Sequence, residues 1–219
     1  MLRALWPNRE FATWGRIKYA FYLMTHPADG FWDLKHAKRG SFGVAVFLMC
    51  FYFFAFLIRR QLTEWYFIFA MAEHLNIFSE LVSQVGPFVL WVISLWCVTT
   101  LLDGEGTMKD IFTATFYALV PLAMANIVAA GASHILTGRE RMILDLIMNF
   151  GMVWSLGLIF MSVVITHQYT VLKSLVIVVI SLVGMVVMMV LGLLVFFLVQ
   201  QLVGFAMEIY MEVLIRMTE

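Results

Sequence analysis

The chain has 219 residues, of which 63% are hydrophobic and 13% charged, and its formal net charge is zero. A soluble domain carries nearer a quarter charged residues, and a nucleic-acid binder carries a basic excess, so neither class fits. A membrane span needs about 20 apolar residues, and five segments qualify, leaving little chain for a separate soluble module.

The expected fold is all-α: a polytopic bundle of five transmembrane helices with an amphipathic interfacial helix at the N-terminal end and another on the outer side. It divides into a cytoplasmic segment (1–40), a membrane domain (41–199) and a polar C-terminal helix or tail (200–219). Residues 1–40 lack an apolar core long enough for a cleavable signal, so the first span is expected to serve as the insertion signal. In residues 9–24, Phe11, Trp14, Ile17, Phe21 and Met24 recur at spacings of three and four, with Arg9 and Arg16 opposite. Such a helix lies on an anionic leaflet or packs on the protein's own loops. His26-Pro27 ends it. Phe31 and Trp32 suit the interface level, and Lys35, Lys38 and Arg39 form a basic flank before the first span.

Span one runs from about Ser41 to Ile58 and is closed by Arg59 and Arg60. Residues 61–80 are apolar but interrupted by Glu64, Glu73, His74 and Glu80. They read as the outer interfacial helix, because a central charge in a span costs roughly 2.5–3.5 kcal/mol. Span two covers about Leu81–Leu102, with Gly86-Pro87 near its start, where proline's missing donor is harmless. The turn DGEGTMKD follows. Gly104 and Gly106 are expected to supply positive φ, and Thr107 with Asp110 has capping-box spacing. Span three covers about Ile111–Leu136 and is kinked by Pro121. Span four runs from about Met142 to Thr166, and span five from about Ser174 to Val199. Small residues four apart (Ala114/Ala118, Ala125/Ala129, Gly151/Ser155), with Gly184 and Gly192, are candidates for close helix contacts.

With the N-terminus inside, cytoplasmic segments hold nine Lys and Arg and outer ones five. The expectation is therefore a cytoplasmic N-terminus and an outside C-terminus. Three polar motifs then share the cytoplasmic face: HPADGFWDLKHAKRG, DGEGTMKD and THQYTVLKS. Asp33, Lys35, Asp103, Glu105, Lys109 and His167 are the candidate partner-docking residues there. Gly86, Pro87, Gly104, Gly106, Thr107, Asp110 and Pro121 are structural candidates. No catalytic, cofactor or metal residue is assigned. HExxH, GxSxG and phosphate-loop motifs are missing, and His36, Asp103 and His167 lack ligand spacing. Cys50 and Cys97 fall in spans and read as packing residues.

Several local features resemble the Yip family, the Ypt/Rab-interacting membrane proteins, in its bacterial branch. They are His26-Pro27-Ala28-Asp29-Gly30-Phe31 before span one, Gly86-Pro87-Phe88 at span two, and Tyr117-Ala118-Leu119-Val120-Pro121 in span three. The resemblance implies a five-helix membrane domain in a bacterial plasma membrane. Ser83-Gln84-Val85 stand where eukaryotic members have an Asp-Leu-Tyr-like lead, so the vesicle-traffic role of those members is not carried over. The expected function is a non-enzymatic scaffold or adaptor without cofactor. Its partners are the lipid bilayer and a membrane or cytosolic protein, a transporter or a second copy of the chain among them. The alternative is an accessory subunit or small-solute conduit, with a polar cavity between spans two, three and five lined by Ser94, Thr99, Thr100 or Asn126.

Overall fold

A computed structural model describes residues 13–63, 76–136 and 140–218. Those residues form eight helices and no strand: α1 (Thr13–Thr25), α2 (Pro27–His36), α3 (Phe42–Leu62), α4 (Ile77–Leu101), α5 (Met108–Ala118), α6 (Val120–Ser133), α7 (Arg141–His167) and α8 (Val171–Thr218). Five units are long and apolar enough to cross a membrane: α3, α4, α5 with α6, α7 and α8. The all-α, five-span expectation therefore holds.

The third span is the hub. In its most apolar window 72% of residues are buried, against 0% in the window of α8. Small residues let neighbours approach it. A Cβ added at Gly151 of α7 would lie 2.4 Å from the Ala125 Cβ of α6. The span is broken rather than merely bent. Helix α5 stops at Ala118, Leu119 sits between, and Pro121 lies in the first turn of α6. Proline cannot donate and its ring crowds the preceding turn. At this break the Leu122 N–H donates to the Ser155 hydroxyl of α7 at 3.1 Å, so a neighbouring span satisfies the backbone, as an apolar surrounding demands.

The first helix packs on protein. Ala20 and Leu23 of α1 are fully buried, with Tyr19 beside them, while Phe21 is exposed. The face buried is thus centred one residue away from the aromatic stripe read from the sequence. Phe11 lies outside the described residues, as does the Trp14 side chain. Two groups lock α1 to α2. The Tyr19 hydroxyl donates to the Gly30 carbonyl at 2.7 Å, and a Cβ at Gly30 would press on Leu23 at 3.1 Å.

Helix α4 starts at Ile77, capped by the Asn76 side chain, which accepts from the Phe78 and Ser79 N–H groups. Pro87 therefore stands inside the helix instead of in its opening turn. Of the outer interfacial helix expected over 61–80, residues 64–75 lie outside those described, and the ends belong to α3 and α4. Helix α8 packs on α4 near its start only. The Ser94 hydroxyl donates to the Ser181 carbonyl at 2.6 Å, and Gly184 seats against Ser94. Gly192 has open space around it. The helix continues through residues 199 and 200 without a break.

Candidate functional site

Three connections meet at the end of the bundle that carries α1 and α2: the α2–α3 turn, the α4–α5 loop and the α7–α8 turn. Each is shaped by local chemistry first. The α2–α3 turn closes through the Ala37 N–H donating to the Asp33 carbonyl at 3.0 Å, with Lys38 at φ 48°. The α7–α8 turn puts Gln168 at φ 55°. In the α4–α5 loop the left-handed position is Asp103, at φ 56°, and no described glycine has positive φ. Aspartate tolerates that region because its short side chain bonds locally. The expectation for Gly104 and Gly106 is thereby corrected. They are needed for space. A Cβ at Gly104 would lie 2.7 Å from the Tyr169 hydroxyl and 2.8 Å from His167 Nδ1; one at Gly106 would lie 2.6 Å from His167 Cε1.

The loop is clamped from both sides. His167 Nδ1 accepts from the Gly106 N–H at 3.3 Å, and its ring stacks on Tyr169, centroids 5.5 Å apart. The Tyr169 hydroxyl donates to the Leu102 carbonyl at 3.0 Å. Lys173 Nζ reaches the same carbonyl at 3.5 Å and lies 4.2 Å over the Tyr169 ring. Two donors thus serve a carbonyl that the end of α4 leaves without an intrahelical partner. Burial, then the Asp103 charge, raises the Tyr169 phenol above its ordinary pKa, which keeps it a donor. On the other side, Lys35 Nζ donates to Glu105 Oε2 at 3.1 Å and to the Thr166 carbonyl at 2.8 Å. Thr107 and Asp110 close the loop with a capping box on α5.

The six expected docking residues separate into two groups. Lys35, Glu105 and His167 converge on the loop, but Lys35 and His167 are largely buried and act as its supports. Asp103, Glu105 and Lys109 are exposed. Asp33 is turned aside to Arg39, 2.9 Å away. His36 does not join His167. Its Nδ1 lies 3.1 Å from the Trp32 carbonyl and its Nε2 3.2 Å from Gln168 Nε2. Among the described residues no three His, Cys, Asp or Glu are grouped to hold a metal ion.

Lys38, Ser41 and Thr113, which share a cavity with Lys35 and Lys109, were not among the candidate docking residues. The basic flank around Lys38 was the one signal. Phe31, expected at the interface, is fully buried under α1, whereas Trp32 is exposed and stacks on His36 at 4.0 Å.

A second cavity, of about 370 Å³, lies in the other half of the bundle between α3, α4, α6 and α7. Arg59 Nε donates to Asn126 Oδ1 there at 2.7 Å, and the Tyr52 hydroxyl donates to Gln84 Oε1 at 3.3 Å. Of the four residues expected to line a cavity, Asn126 alone does so. Ser94 is bound to Ser181, while Thr99 and Thr100 bond back to carbonyls of their own helix.

The spans and their buried polar ties define a multi-pass integral membrane protein of five spans. The family model described as the Yip1 domain matches residues 21–194, most of the chain, and the protein belongs to that family. No curated protein and no solved structure shows a significant match. The motif residues now have physical roles. Pro27 opens α2, Gly30 admits Leu23, Phe31 fills the core, and fully buried Tyr117 reaches the Arg16 carbonyl of α1 at 3.4 Å.

Proposed function

We propose that this Yip1-family protein is a non-enzymatic adaptor whose α4–α5 loop presents Asp103, Glu105 and Lys109 to another membrane or cytosolic protein. The observation that carries the reading is the clamp. A short exposed loop is held from beneath by His167, Tyr169 and Lys35, so it meets a partner with little conformational entropy left to lose. Its charges are exposed, which suits electrostatic selection of a partner. The Lys and Arg bias assigns this face to the cytoplasm and the end of α8 to the opposite side.

Two experiments test this. Terminal tags should be accessible from opposite sides of the membrane; accessibility from one side alone overturns the orientation. The triple change Asp103→Ala, Glu105→Ala, Lys109→Ala should leave insertion unchanged and cost no more than the half-exposed Lys35–Glu105 pair is worth, at most about 1 kcal/mol. It should also remove the proteins that co-purify with the parent in mild detergent. Unchanged co-purification refutes the docking face.

One observation favours a second reading, an accessory subunit or conduit for a small solute. The cavity around Arg59 and Asn126 places polar groups inside the spanning bundle, where they are costly and mark paths or sites. Solute uptake that depends on the protein and falls with Asn126→Leu would support it.

A further inference from the structure

The geometry points to a binding site for the phosphate headgroup of an anionic membrane lipid, in the cavity between the α2–α3 turn, the first turns of α3 and α5, and the end of α7. This inference does not rest on the adaptor reading. The cavity measures about 220 Å³. At roughly 30 Å³ per water it has room for several waters, hence for a phosphodiester and part of its glycerol. Lys35, Lys38 and Lys109 line it, with Ser41 and Thr113.

The charges in the wall are unequal in availability. Lys35 is engaged by Glu105 and the Thr166 carbonyl. Asp110, the acid of the wall, is turned to its cap: its Oδ2 accepts from the Thr107 N–H at 3.0 Å and from the Thr107 hydroxyl at 2.6 Å. Lys38 and Lys109 are exposed, and their ammonium groups have no hydrogen bond or ion pair among the described residues. Two unpaired lysines therefore line the cavity against one carboxylate, which keeps its charge but directs Oδ2 to the cap. The start of α3 adds to them. The Ser41 side chain caps Val44, while N–H groups of the first helical turn stay without intrahelical partners at the positive end of the dipole.

The apolar side of the cavity selects a lipid over a soluble anion. Leu34 and Phe42 line it. Phe42 is exposed and packs on Phe112 at 5.0 Å between ring centroids. Phe47 and Phe54, lower on α3, are also exposed but lie about 120–140° round the helix from Phe42. A headgroup bound by the lysines would thus set the start of its acyl chain against the Phe42–Phe112 pair. The first turns of two spans sit at the level where polar and apolar solvation meet, which is where a phosphate resides.

The test uses the purified full-length protein, stripped of lipid in a mild non-ionic detergent, and native mass spectrometry. Phosphatidylglycerol and phosphatidylcholine with identical acyl chains are added separately. Phosphatidylglycerol should bind preferentially. Each ammonium near an anionic lipid is worth about fivefold in affinity, so Lys38→Gln with Lys109→Gln should weaken it about 25-fold. Lys38→Arg with Lys109→Arg should retain binding, as should Lys18→Gln, which removes an exposed charge of α1 outside the cavity.

Equal binding of the two lipids, or an unchanged affinity in the double Gln variant, overturns the proposal. Displacement of the lipid by millimolar inorganic phosphate assigns the site to a soluble anion and overturns it too. Should the double Gln variant melt abnormally, a photoactivatable phosphatidylglycerol on the parent decides. Adducts on residues 38–42 and 109–113 support the site, and adducts confined elsewhere refute it. Co-purification of a protein partner is a separate readout, so failure of the adaptor reading leaves this one standing.

Discussion

Gly104→Ala is the sharpest probe of how the polar face is built. The backbone there is not left-handed, so alanine carries no conformational penalty of its own. The new methyl would nonetheless sit 2.7 Å from the Tyr169 hydroxyl, 2.8 Å from His167 Nδ1 and 2.8 Å from the Thr99 Cβ. Thr99 is buried in α4 and cannot swing away, so the loop must lift. Overpacking of this kind costs about 1–3 kcal/mol. Lifting also breaks the Gly106–His167 or Tyr169–Leu102 hydrogen bond, each worth about 1 kcal/mol. The sum, about 2–4 kcal/mol, should lower the melting midpoint by roughly 4–16 °C in a chain of this size. Tryptophan fluorescence during heating in detergent measures it. Gly104→Asn separates the explanations. A position requiring positive φ would tolerate asparagine, whereas a crowded one should suffer at least as much as with alanine. A midpoint within about 2 °C of the parent for Gly104→Ala would refute the reasoning.

The span contacts make further predictions. Gly151→Ala should destabilise by about 1–3 kcal/mol through its clash with Ala125, and adding Ala125→Gly should recover part of that; the coupling in a double-mutant cycle on melting midpoints checks it. Ser155→Ala strands the Leu122 N–H at the break in the third span, so a loss of about 1–3 kcal/mol is expected in the same assay. Gly184→Val drives a side chain onto Ser94 and should loosen α8 alone. Faster protease cleavage of α8 without a change in amide exchange of the third span is the expected signature.

The spans were legible because lipid imposes composition on them, and composition survives without knowledge of contacts. Thr107 and Asp110 were legible because a cap is local, three residues long. The glycines of the same loop were misassigned for the opposite reason. Gly104 and Gly106 are small on account of His167 and Tyr169, more than 60 positions away, and no local pattern carries that. Pro87 was placed at a helix start because proline favours one; the cap at Asn76 lies eleven residues earlier and moves it inside. Phe31 beside Trp32 looked interfacial as a pair. Only the partner helix α1, with Leu23 over Gly30, shows that the two rings point to different solvents.

The length of α8 poses a problem that its packing does not solve. The helix has 48 residues, about 72 Å at 1.5 Å per residue, against roughly 30 Å of hydrocarbon and 40–45 Å with headgroups. Keeping it wholly in the bilayer as a straight rod would need a tilt well beyond the roughly 40° limit of known spans. Residues 171–199 alone run about 43 Å and match the full thickness. Beyond them Gln201, Glu208, Glu212 and Arg216 fall on one stripe at 100° per residue, and Arg216 pairs with Glu212 at 2.8 Å. Val203 and Tyr210 fall on the opposite side and are exposed. A helix so divided suits the interface, and the prediction is that in the membrane it bends near residue 200, where the structure has α8 unbroken. Single cysteines replacing Glu208 and Glu212 should react quickly with a membrane-impermeant maleimide, and those replacing Val203 and Tyr210 at least tenfold more slowly, both in a chain with Cys50 and Cys97 replaced by serine. Uniform labelling across all four positions would mean that α8 leaves the bilayer as a straight rod, and the interfacial placement would fail.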